Sequence, residues 1–113
     1  MRKHILLLVV LMALATWLSA HPASNILATY SNENHVLSLT ISHQVRDAAD
    51  HFISKVTVKV GNAEILTHKL TMQDSLTGGV LLYKLPGLAS GSRITVITDC
   101  NKGGRKTAQI TVR

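Results

Sequence analysis

Residues 51–70 read His51-Phe52-Ile53-Ser54-Lys55-Val56-Thr57-Val58-Lys59-Val60-Gly61-Asn62-Ala63-Glu64-Ile65-Leu66-Thr67-His68-Lys69-Leu70. Val56, Val58 and Val60 recur at every second position, in phase with Phe52 and interrupted by Ser54; Ile53, Lys55, Thr57 and Lys59 take the other phase. A period of two is that of a strand with one buried face. Gly61-Asn62 is a two-residue hairpin signal, so Glu64 to Leu70 is predicted to return antiparallel beside Phe52 to Val60. Upstream, His35 to His43 alternates with Leu37, Leu39, Ile41 and His43 on one face, and Asn25 to Tyr30 is a weaker strand. Downstream, Gly78-Gly79 breaks the chain before Val80 to Leu85, and Pro86-Gly87 and Ser90-Gly91 bracket a loop. Ser92 to Cys100 sets Ile94, Val96, Thr98 and Cys100 on one side, and Thr107 to Val112 does the same with Ala108, Ile110 and Val112. Asp47 to Asp50 reads as a single helical turn, and no longer helical period exists. Seven short strands with frequent turns predict an all-β fold, a seven-stranded antiparallel immunoglobulin-like β-sandwich.

The first twenty of the 113 residues are of another kind. A basic start, Met1 to His4, precedes an apolar run from Ile5 to Leu18 and a small-residue end, Ser19-Ala20. This is the layout of a secretory signal peptide, with an apolar core too short for a comfortable span. The expected organisation is therefore a leader at 1–20 and one domain at 21–113, exported to the periplasm or secreted, with His21 as first mature residue. The domain carries ten Lys and Arg against six acids, a formal charge of +4. That scattered charge, with only Tyr30, Phe52 and Tyr83 as aromatics, argues against nucleic acid. No second apolar stretch is long enough for a membrane once the leader is removed. One small domain also excludes a multidomain enzyme or a dinucleotide fold. Cys100 stands alone, so no internal disulfide is available, and a lone thiol in an oxidising compartment is a liability unless buried, ligated or used.

His43 and Cys100 each continue the apolar face of a strand at its last position. His51 opens the next strand eight residues after His43, a connection that can return both imidazoles to one end of a sandwich. His21 is a terminal residue that a metal can tie down. Three imidazoles and one thiolate form a His3Cys set suited to iron, copper or zinc rather than Ca²⁺ or Mg²⁺. The plainer alternatives are surface histidines at strand ends and, for Cys100, a small buried hydrophobe. His35 and His68 lack this placement and are expected on the solvated surface. Other chemistries have weaker support: no nucleophile elbow accompanies any serine, Asp47 and Asp50 read as a polar loop, and Gly103-Gly104 reads as a glycine-rich β-turn rather than a phosphate loop.

His21-Pro22, Ser42-His43, Asp50-His51-Phe52-Ile53 and Cys100-Asn101 followed by glycine, in that order, resemble the ferrous-iron domain of desulfoferrodoxin and neelaredoxin, the superoxide reductases. The resemblance implies an immunoglobulin-like sandwich and iron bound by histidines and an axial cysteine, with His21, His43, His51 and Cys100 at family ligand positions. It implies reduction of superoxide to hydrogen peroxide, with an electron donor protein as partner. The family's fourth histidine falls at Gly103, and its Glu-Lys pair before the first histidine falls in the leader. Lys102 is then the cation left to attract the anionic substrate, and the α-amino group of His21 is a replacement ligand. A second resemblance, carried by His51-Phe52-Ile53, Gly61-Asn62 and Asp99 with Asn101-Lys102-Gly103-Gly104, is to the Z subunit of the Sox sulfur-carrier complex, a binding partner without metal. An exported copper protein using His21 with a second histidine is the third reading.

Overall fold

The structure, a computed structural model, describes residues 21–113, so the leader expected at 1–20 lies outside the described residues. Seven strands follow in order: β1 (Asn25–Ser31), β2 (Val36–Ser42), β3 (Ile53–Val60), β4 (Ala63–Lys69), β5 (Gly78–Lys84), β6 (Arg93–Cys100) and β7 (Arg105–Thr111). All pairings are antiparallel, in a three-stranded sheet β1-β2-β5 and a four-stranded sheet β4-β3-β6-β7. Among the described residues, no helix is long and apolar enough to cross a membrane.

The sheets face one another across the side chains that the alternation marks as inward. Leu37, Leu39, Val56, Val58, Ile94, Val96 and Thr98 are fully buried, and Ile26, Ile41, Ile53 and Val112 nearly so. Burying each large aliphatic side chain contributes roughly 1.5–3 kcal/mol, and with no disulfide this core is the main source of stability. The Gly61-Asn62 turn folds β4 directly back onto β3, so the fourth strand joins the four-stranded sheet and the chain crosses to β5 afterwards.

Three local expectations change. Ile53 is 3 % exposed and packs in the core with Val56 and Val58, not on the outer face with Lys55. The β3–β6 register shifts between Ile53 and Lys55, Ile53 pairing with Cys100 and Lys55 with Asp99. This bulge places an extra residue, Ser54, in β3 and inverts the facing of everything before it. Gly78-Gly79 does not interrupt the chain but begins β5. A Cβ on Gly78 would lie 1.9 Å from the Ile41 carbonyl oxygen, and its φ is +133°, so glycine is what allows β5 to close on β2. His68 is half-buried rather than solvated, and Tyr83 Oη lies 2.7 Å from its Nδ1, linking β4 of one sheet to β5 of the other. His35 is on the surface as expected, and Asp47 to His51 forms a single turn in which the His51 N–H donates to the Asp47 carbonyl at 2.9 Å.

Candidate metal centre

His21, His43 and His51 meet at one end of the sandwich. Their ring centroids form a nearly equilateral triangle, 4.9 Å from His21 to His43, 4.8 Å from His21 to His51 and 4.8 Å from His43 to His51. One nitrogen from each lies within 4.8 Å of the others, close enough for all three to bind a single ion. Cys100 Sγ sits 3.1 Å from His51 Nε2.

Each residue arrives by a different route. His43 continues the inward face of β2 beyond its end and is fully buried. Its position is fixed because the ladder persists past the strands: the His43 N–H donates to Thr77 O at 2.9 Å and Val45 N–H to Leu76 O at 2.8 Å. Cys100 ends β6 and is 6 % exposed. His51 is carried by the Asp47 turn, whose own carboxylate accepts from the Ala49 N–H at 2.9 Å. Asn101 then ties this turn to the cysteine. Its Nδ2 donates to Asp50 O at 2.8 Å, its Oδ1 accepts from Phe52 N–H at 2.9 Å, and its own N–H donates to Phe52 O at 3.0 Å. Asn101 therefore grips the residues on either side of His51 and, being next to Cys100, holds imidazole and thiol together.

His21 is exposed and reaches the cluster because the β6–β7 turn leaves room beneath it. A Cβ on Gly104 would lie 2.7 Å from Pro22 N and 3.2 Å from the His21 carbonyl carbon. The His21 ring nitrogen Nδ1 donates to Pro22 O at 3.1 Å, which leaves its Nε2 as the unprotonated nitrogen of a neutral ring. Gly103, where the resembled family has a fourth histidine, contributes no side chain to this end.

The electrostatics favour neutral, ligand-ready imidazole. His51 is held below the ordinary histidine value, first by desolvation, then by the neighbouring His43, His21 and Lys102, against a smaller opposing pull from Asp50. Lys102 lies beside the cluster, but its ammonium pairs with Asp50 at 3.4 Å at the surface. Its backbone N–H points at Cys100 Sγ, 3.4 Å away. The three imidazoles suit a transition metal; Cys100, expected as a fourth ligand, touches His51 but is not part of the three-histidine group.

Gln73 stands out only in three dimensions. It lies in the polar β4–β5 loop, where its sequence neighbours Met72 and Asp74 give no periodic signal, yet it is 8 % exposed and touches His43. No protein-family model matches the chain, and no curated protein matches it.

Proposed function

We propose that this protein is an exported, mononuclear metal-binding domain of immunoglobulin-like type, with iron held by His21, His43, His51 and Cys100, acting on superoxide in the manner of the superoxide reductases it resembles. The observation that carries the reading is the convergence of three imidazoles from separate segments beside the one thiol of the chain. Chance surface histidines have no reason to meet at 4.8 Å around a buried member. Iron held there would supply the one electron that, with two protons from solvent, converts superoxide to hydrogen peroxide. The chain's own residues do the rest. His43 and Cys100 anchor the ion from the buried side, and the exposed His21 leaves the approach open to a small anion. Lys102 adds positive charge at the rim, reduced by its pairing with Asp50. An electron donor protein would be the reductant that restores the ferrous ion.

Elemental analysis of protein purified from the exporting cell tests the metal: about one iron per chain is expected. A thiolate charge-transfer band should appear on oxidation and vanish in Cys100→Ser. A band that persists in that variant removes Cys100 from the ligand set. Superoxide consumption without oxygen release supports reduction, whereas oxygen release indicates dismutation. Copper in place of iron selects the copper-protein reading, and metal-free protein that binds a sulfur-carrier subunit selects the partner reading.

A further inference from the structure

We propose that Gln73 is a positioning residue for this centre: its carboxamide fixes His43 as the Nδ1–H tautomer and so presents Nε2 as the metal-binding nitrogen. The inference rests on the metal-centre reading above. Gln73 Oε1 lies 2.8 Å from His43 Nδ1, and Gln73 Nε2 donates to two backbone carbonyls, His43 O and Ser75 O, each at 2.8 Å. All the carboxamide's near partners are thereby matched. Reversing the amide would aim its oxygen at two carbonyl oxygens, which is repulsive in a buried place. The orientation is therefore determined by the backbone, and Oε1 must accept a hydrogen bond from Nδ1–H.

A neutral imidazole carries one ring proton, and the hydrogen bond to Gln73 Oε1 holds it on Nδ1. Nε2 then holds a lone pair on the side of the ring facing His21, whose carbonyl oxygen is 3.2 Å away. The contact is a hydrogen bond only when Nε2 carries a proton, so an ion bound at Nε2 takes the place of that proton. Gln73 itself is anchored from behind, its N–H donating to Ala48 O in the loop that carries His51. One side chain thus ties the β4–β5 loop to both histidine-bearing segments and orients the buried ring. Hydrogen-bond partners of metal-bound histidines act in this way, and their loss costs about 10–100-fold in affinity.

The test uses the domain beginning at His21 and Co²⁺ as the probe. In the metal-free wild type, ¹⁵N NMR of the His43 ring should show the proton on Nδ1; a proton on Nε2 overturns the proposal, whatever the variants do. Co²⁺ affinity, measured by competition with a chromophoric chelator, should fall about 10–100-fold in Gln73→Leu, with the His43 proton redistributing between the two nitrogens. Gln73→Glu keeps an acceptor for Nδ1–H but sets its second oxygen against His43 O and Ser75 O, so the His43 proton should stay on Nδ1 while the β4–β5 loop loses its anchor and stability falls; loss of the Nδ1 proton in a folded Gln73→Glu overturns the proposal. Wild-type Co²⁺ affinity and an unchanged tautomer in a folded Gln73→Leu overturn the proposal. Failure of the wild type to bind Co²⁺ at all strikes the metal-centre reading instead, and the NMR result on the metal-free protein still decides what Gln73 does to His43.

Discussion

At the scale of single residues, burial and close contact determine what each position tolerates. His51 is depressed below its unfolded value by desolvation and by the two adjacent imidazoles. A histidine lowered in the folded state contributes stability above its unfolded pKa of about 6.5, and that contribution is lost as pH falls through the lower folded value. Metal-free protein should therefore unfold at lower urea as pH drops below about 6.5, and His51→Gln should flatten that dependence. An unchanged slope in the variant would show that His51 is not the group responsible. The glycines separate structure from site. Gly78→Ala drives a Cβ into the Ile41 carbonyl and should cost on the order of 3 kcal/mol or more in denaturant titrations. Gly104→Ala presses on Pro22 and His21 at a φ of +97°, so it should weaken Co²⁺ binding about tenfold or more and add a backbone-strain cost of about 1–3 kcal/mol in denaturant titrations.

At the scale of the elements, the two sheets are joined on one flank by a polar contact. Tyr83 on β5 and His68 on β4 meet edge to face, with the phenol oxygen hydrogen-bonded to the imidazole Nδ1. Burial pushes the Tyr83 hydroxyl up to about 12. An acid raised in the folded state favours the un-ionised form, so its stabilisation is complete below the unfolded value of about 10 and disappears as pH climbs toward 12. Alkaline titration followed by tyrosinate absorbance should resolve one late-ionising tyrosine, absent in Tyr83→Phe, and the variant should lose the alkaline fall in stability. On β3, the strand that pairs with β4, the bulge before Lys55 shows what alternation alone misses. Ile53 was assigned outward because period two was continued through Ser54; the additional residue turns Ile53 into the core opposite Cys100 and brings the His51 turn alongside the end of β6. A bulge beside a candidate site that redirects side chains is a common use of this irregularity.

At the scale of the whole molecule, a disulfide-free sandwich places donors from the segment before β1, the β2–β3 connection and the end of β6 at a single tip. Such a site couples binding to folding, because the unfolded chain does not hold the donors together. Adding Co²⁺ or Zn²⁺ to a free concentration 100-fold above Kd should raise stability by about 2.7 kcal/mol, observed as a higher Tm that a chelator reverses. A cavity in the core should act differently. Leu39→Ala, at a fully buried position, should cost about 2–5 kcal/mol with or without metal. A Tm that ignores metal in the wild type would count against a site at the tip.

The strands and their inward faces were legible because alternation is a local property: a residue's facing follows from its neighbours two positions away, and hydrophobic burial rewards that pattern wherever the second sheet lies. His43 and Cys100 could be placed at strand ends for the same reason. That His21 and His51 join them, that Asn101 clamps the pair, and that Gln73 orients the buried ring are long-range facts. They depend on which strand ends the crossovers bring together and on one inserted residue in β3. The local sequence carries no record of those distances, since they arise only when the two sheets close on a shared core.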